Sequence, residues 1–192
     1  MTKRLVILFS GEGSNFENIV RALHDKEFDG IKVEVVGAVC NKAEAGGVKR
    51  AQNLGIPCII IDHKLYDSRE AFDTELVKAI EAYGYDLCVM AGFMRILTPV
   101  FTRRIKAVNI HPSFLPYFKG ADGVKESFEG GMGFGGVSIH WVSDGVDEGE
   151  IIMQEKVEIL PTDTVDTFRA RVQIKEHELY PKAIIKALKE MR

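Results

Sequence analysis

Cysteine is scarce in this chain: three residues in 192, Cys40, Cys58 and Cys88, far apart and with no Cys-x-x-Cys pair among them. That excludes a disulfide framework and a zinc knuckle and suits a reducing cytoplasm, with the three thiols read as small buried hydrophobes near strand ends. Long hydrophobic runs are missing too. The longest, such as Leu5-Val6-Ile7-Leu8-Phe9, reach about five to seven residues, against the roughly 20 that a membrane-crossing helix needs. The first run follows Lys3 and Arg4 but meets Ser10 and Gly11, so it is too short for a signal-peptide core. There is no surplus of positive charge: 25 Lys and Arg stand against 28 Asp and Glu, a net charge of −3. A nucleic-acid binder relying on phosphate neutralisation is therefore disfavoured, although one locally positive anion pocket is not. His24, His63 and His177 show no ligand spacing and no His-Glu-x-x-His motif exists, so no metal is expected. What the chain does have is 46% hydrophobic residues, enough for a sizeable core in one domain. It has no repeat, low-complexity tract or linker.

The apolar runs set out the fold. Residues 5–9 form a continuous apolar stretch of the kind buried on both faces in a parallel sheet. After the glycines, Phe16, Ile19, Val20 and Leu23 fall on one helical face, with Ser14 or Asn15 as the expected cap. Further strands are expected over 33–40, 58–61, 86–91 and 107–110, with helices over 43–54, 68–84 and 99–105 between them. This alternation marks an α/β, doubly wound sheet. Residues 117–136 hold seven of the 18 glycines and read as loop with one short helix near 124–128. Period-two patterns over 136–142 and 150–159 then predict an antiparallel pair. A last helix is capped by Thr162-Asp163-Thr164 and broken or restarted by Pro181. The expectation is a mostly parallel seven-stranded sheet with an antiparallel C-terminal portion in a single domain, 1–192. Its first half (1–100) and its second (101–192) differ in character.

Three segments at strand ends carry the chemistry. Ser10-Gly11-Glu12-Gly13-Ser14-Asn15 lies between a strand and a helix, where glycines admit close approach and the helix N-terminus attracts an anion, most simply a phosphate. A dinucleotide site fits less well, because Phe16 replaces the third glycine of that motif and no acid ends the next strand. Asn109 and His111, at i and i+2 before Pro112, project to the same side of an extended segment. An amide that donates to an oxyanion and an imidazole that moves a proton could serve one reacting carbonyl. The acid-rich turn 144–150 reads as a solvated hairpin from which one carboxylate could orient His111. His140 reads as a residue that supports the site from behind or sits in the core, rather than a catalytic one. The segment 91–97 reads either as a wall for a flat, partly apolar ligand with an acidic end or as a packed loop with Arg95 snorkelling. Gln173 and Glu176 share a helical face and, on spacing alone, face solvent.

Taken in order, Gly11-Glu12-Gly13-Ser14-Asn15, Ala91-Gly92-Phe93-Met94-Arg95-Ile96-Leu97, Asn109-Ile110-His111-Pro112-Ser113, the 136–149 stretch with Asp147-Glu148-Gly149, and Arg171-Val172-Gln173 with Glu176-His177 resemble the folate-dependent formyltransferase family of purine synthesis. The resemblance implies a Rossmann-like formyltransferase fold, with 1–100 as the nucleotide-binding half and 101–192 as the catalytic and folate-binding half. It also implies transfer of the formyl group of 10-formyltetrahydrofolate to the amino group of glycinamide ribonucleotide through a tetrahedral intermediate. Asn109, His111 and Asp147 would be catalytic, with Asp147 holding the imidazole charged. Gly13, Ser14, Asn15, Gly92, Met94, Pro112, Gln173 and Glu176 would hold the ribonucleotide, and Arg95, Ile96, Leu97, Val142 and Asp144 the folate. The implied partners are these two small molecules, with no nucleic acid and no membrane, for a cytoplasmic monomer or weak homodimer. Residues 117–135 depart from the family by lacking its Gly-x-His stretch. The nearest rival is a formyltetrahydrofolate deformylase, which passes the formyl group to water. A non-catalytic nucleotide-binding module would have no use for Asn109 with His111.

Overall fold

The computed structural model describes residues 1–191. The chain divides into two compact units, Met1–Val108 and Asn109–Arg192.

In the first unit the elements alternate as β1 (Thr2–Phe9), α1 (Ser14–Leu23), β2 (Lys26–Phe28), β3 (Ile31–Cys40), α2 (Gly46–Asn53), β4 (Cys58–Ile60), α3 (Arg69–Ala82), β5 (Leu87–Met90) and α4 (Pro99–Thr102). Chain then enters β6 (Ala107–His111), whose last three residues belong to the second unit. The strand order is β2-β3-β1-β5-β6, with β4 also beside β3. β1 runs parallel to β3 and β5, and β3 parallel to β4. Residues 5–9 are fully buried, as the apolar run predicts, and α1 buries Phe16, Ile19, Val20 and Leu23 against them. Each such side chain contributes about 1.5–3 kcal/mol on burial. The register pairs Phe9 with Cys40 and Leu8 with Met90, so the three strands end level. Ser10, Asn41 and Ala91 therefore leave the sheet together at its carboxyl edge, the edge where open α/β sheets bind ligands.

The second unit comprises the end of β6, α5 (Gly123–Glu129), β7 (Phe134–Trp141), β8 (Ile151–Glu158) and α6 (Val165–Glu190), in strand order β6-β7-β8. β7 and β8 are antiparallel, with one extra β8 residue accommodated between Ile139 and His140.

The fold is mixed α/β with a mostly parallel sheet, as expected, but four local expectations are corrected. There are eight strands among the described residues, not seven. The additional β2 pairs with β3 through a two-residue turn in which Asp29 and Gly30 both take positive φ. α1 is capped by Gly13 in the left-handed region, and neither Ser14 nor Asn15 caps it. Cys40 and Cys88 are buried, but Cys58 is only half-buried. Pro181 does not break α6. A proline removes one N–H from the ladder, and here buried residues on both sides of it (Phe168 and Val172 before, Ile184 and Leu188 after) hold the helix as one piece.

Candidate active site

In the second unit β6 delivers Asn109 and His111, β7 delivers His140, and the hairpin between β7 and β8 delivers Asp147. The four side chains converge on one carboxylate. His111 Nδ1 lies 3.3 Å from Asp147 Oδ2. Asn109 Nδ2 donates to Asp147 Oδ1 at 3.4 Å, and His140 Nε2 is also 3.4 Å from that oxygen. Gly120 N–H donates to Oδ2 at 3.0 Å. The His111 and Asp147 side chains are 5% and 9% exposed, so this is a desolvated ion-pair geometry rather than a surface one. Burial alone would raise the Asp147 carboxyl. The His140 hydrogen bond, the His111 charge and the Gly120 N–H outweigh it and hold the group below the usual carboxylate range.

The ring nitrogens are oriented from behind. His111 Nε2 donates to the Phe118 carbonyl at 2.7 Å, and His140 Nδ1 donates to the Trp141 carbonyl at 2.8 Å. Ser138, two residues before His140 on β7, accepts from Leu115 N–H at 3.0 Å and donates to Ser113 O at 2.7 Å. β7 thus supports both the carboxylate and the segment after His111. The hairpin that presents Asp147 is tight. Asp147 itself has φ +51°, a conformation Asp tolerates better than most residues, and a Cβ on Gly149 would fall 1.6 Å from Trp141 O. His140, read from sequence as a supporting or core residue, is buried and touches the same carboxylate as Asn109. Its placement at i+2 from Ser138 was visible; its distance to Asp147 was not.

In the first unit Gly13 (φ +72°) turns the chain from β1 into α1 and lies against α2, where a Cβ would meet Gly47 Cα at 2.7 Å. Gly47 N–H donates to Gly11 O at 3.0 Å, and Arg50 Nε donates to Glu12 O at 2.7 Å while its guanidinium pairs with Glu17. Gly13 is buried, and Ser14 and Asn15 are half-buried at the first turn of α1. Sequence reading passed over Gly46 and Gly47, whose adjacency was the available signal. The segment 91–97 leaves β5 with Phe93 buried and stacked on Phe72 at 6.4 Å. Met94 and Ile96 are 59% and 58% exposed, and Arg95 Nε is buried with no hydrogen-bond partner among the described residues. Thr98 closes the segment by donating N–H and hydroxyl to Asp73 Oδ2 at 2.6 and 2.7 Å. Asp73 is 1% exposed, and burial pushes its carboxyl up.

The remaining expected residues of the second unit differ in exposure. Pro112 and Val142 are half-buried, Asp144 is exposed, and on α6 Gln173 is exposed while Glu176 is half-buried. Among the described residues no helix is long and apolar enough to cross a membrane, and no group of three or more His, Cys, Asp or Glu could hold a metal ion.

A family model described as formyl transferase matches residues 3–184. Phosphoribosylglycinamide formyltransferase of Escherichia coli (strain K12) is 41% identical over 182 residues, covering 94% of this chain and 84% of that protein. The trifunctional purine biosynthetic protein adenosine-3 of Drosophila pseudoobscura pseudoobscura is 40% identical over 184 residues, 95% of this chain and 13% of that protein. Against such trifunctional proteins the chain spans 13–18% of their length. The crystal structure of phosphoribosylglycinamide formyltransferase from Campylobacter jejuni is similar at TM-score 0.95 and 48% identity, covering 98% of both chains.

Proposed function

The chain belongs to the formyl transferase family, and from that premise we propose that it transfers the formyl group of 10-formyltetrahydrofolate to the amino group of glycinamide ribonucleotide in purine biosynthesis. The observation that carries this reading is one buried carboxylate, Asp147, joined by an imidazole at 3.3 Å and a carboxamide at 3.4 Å. Acyl transfer to an amine builds negative charge on the carbonyl oxygen and positive charge on the attacking nitrogen. The amino group attacks the formyl carbon, the C=O pair moves onto oxygen, and the C–N bond to the folate breaks as one proton passes from the incoming to the leaving nitrogen. Asn109 Nδ2–H and His111 Nε2–H donate to the oxyanion. Asp147 stays ionised, orients the imidazole through Nδ1, and offers a nearby base for the proton in transit. The Phe118 carbonyl takes the Nε2–H that the oxyanion would take, so residues 117–120 give up that bond during turnover.

Gly13, Ser14 and Asn15 suit the substrate phosphate, because a buried left-handed glycine opens a ten-residue helix with no side-chain cap of its own. Gly92, Met94, Pro112, Gln173 and Glu176 complete the ribonucleotide assignment. The buried Arg95 Nε, flanked by exposed Met94 and Ile96, suits a flat folate with an acidic end, together with Leu97, Val142 and Asp144. The whole chain then acts as one functional domain, cytoplasmic, as a monomer or weak homodimer, with no metal, nucleic acid or membrane in its reaction. Three free cysteines agree with that compartment.

The test follows folate absorbance with both substrates present and with glycinamide ribonucleotide left out. Formyl consumption that requires the ribonucleotide supports the transferase. Equal consumption without it makes the protein a deformylase.

A further inference from the structure

Ser10 stands between the glycine loop, given to the ribonucleotide, and the 92–97 segment. Of that segment, Gly92 and Met94 are given to the ribonucleotide and Arg95, Ile96 and Leu97 to the folate. The chain joins Ser10 to the loop, and two hydrogen bonds join it to the segment. It follows β1 directly and is 2% exposed. Its N–H donates to Gly92 O at 3.0 Å, and its Oγ accepts the Met94 N–H at 2.8 Å. On its other side the chain enters the glycine loop, where Gly11 O accepts the Gly47 N–H. The backbone bond extends the β1–β5 ladder, since Ala91 N–H donates to Leu8 O at 2.8 Å, and any residue at position 10 could make it. The Oγ bond is different. It needs an acceptor on a short side chain, placed where a buried residue leaves the sheet.

The segment it holds has little else. Gly92 turns the chain at φ +77°, Met94 and Ile96 lie in the open, and the next anchor is Thr98 on Asp73. Without the Ser10 hydroxyl, Met94 N–H loses its acceptor and the exposed stretch hangs between Phe93 and Thr98. We infer that Ser10 is a positioning residue that couples the two substrate sites: a nucleotide phosphate drawn into the glycine loop stiffens the turn at Ser10, and Ser10 in turn, through Gly92 and Met94, seats Arg95, Ile96 and Leu97 for the folate. This rests on the reading that the glycine loop with Gly92 and Met94 receives the ribonucleotide and residues 95–97 receive the folate. Coupling of this kind is reciprocal, so each substrate tightens the other by the same factor.

The experiment uses the full chain with Ser10→Ala, Ser10→Cys and Ser10→Thr. Wild-type turnover is measured first with both substrates, and its absence sinks the proposed function without touching the hydrogen bonds argued here. With an active wild type, glycinamide ribonucleotide is titrated calorimetrically with and without saturating tetrahydrofolate, the folate that has no formyl group to give. The wild type is expected to bind several-fold tighter in the presence of the folate. Ser10→Ala should abolish that difference and raise both KM values about five- to tenfold, the loss of one hydrogen bond, with kcat within about twofold. Ser10→Cys, of the same size but a weaker acceptor, should fall between, and Ser10→Thr should restore coupling. A wild type without coupling overturns the inference. So does an alanine variant that is less stable yet couples normally, or one that changes a single KM.

Discussion

The first unit builds its candidate site from backbone, the second from side chains. Around Gly13 the working groups are N–H groups at the start of α1, shaped by glycines packed against α2. Around Asp147 they are a carboxylate, two imidazoles and a carboxamide carried by two strands and a hairpin. Backbone sites tolerate changes of side-chain chemistry but no added Cβ. A side-chain cluster tolerates changes of bulk at its edge but no change of charge at its centre. Substitutions should therefore act on substrate affinity in one unit and on turnover in the other.

The hardest blow to that contrast is Asp147→Ala. It leaves His111 and His140 buried without their common anion, and breaking a buried pair costs about 3–5 kcal/mol. Turnover should fall on the order of 10³-fold, with both KM values changed far less. If steady-state kinetics instead give a large KM change at constant kcat, the cluster binds rather than catalyses. Next is Asn109→Ala. One preorganised oxyanion donor is worth about 3–4 kcal/mol, so kcat should drop by a hundredfold or more. An unchanged kcat removes Asn109 from the reaction. Glycine 13 completes the contrast from the other side. In Gly13→Ala the left-handed φ costs about 1–3 kcal/mol and the new methyl presses on Gly47. KM for the ribonucleotide should rise roughly tenfold with kcat preserved within a fewfold, and a pure loss of kcat would erase the distinction between the units.

How much of this was legible before the structure depended on whether the signal was local. Residues 5–9 announce a doubly buried strand by composition alone, and the glycines after it announce a turn into a helix, because both effects act over a few residues. Asn109 and His111 are paired by the two-residue period of a strand. Asp147 is 36 residues after His111 and on a different element; its candidacy came from a family likeness, and its 3.3 Å approach comes only with the fold. Gly47, Asp73 and the part played by Ser10 escaped notice for the same reason, since each matters through a partner 25 to 84 residues away. Two misses were local and avoidable. Asp29-Gly30 is a strong two-residue hairpin signal, and it makes the β2–β3 turn. Pro181 was given too much weight, because a single lost N–H is small beside the apolar face that α6 buries on both sides of it.

The gentlest test sets one buried acid in each unit against the other. Asp147 is held below the ordinary carboxylate range: burial opposes the charge, but the His140 hydrogen bond, the His111 charge and the Gly120 N–H prevail. Asp73 is pushed above it, because burial outweighs the two bonds from Thr98, and Oδ1 has no hydrogen-bond partner among the described residues. The signs of linkage are therefore opposite. The stability that Asp147 contributes is full above its unfolded pKa and is lost as pH falls through the lowered folded value. What Asp73 contributes is full below its unfolded pKa and is lost as pH rises through the raised folded value. One proton changes stability by at most about 1.4 kcal/mol per pH unit. Urea midpoints between about pH 3 and pH 7 should show the wild type gaining on Asp147→Asn as pH rises and losing ground to Asp73→Asn over the same range. Two differences of the same slope would mean that both acids sit in equivalent surroundings, and the division between a carboxylate kept charged for chemistry and one buried to fasten a loop would fail.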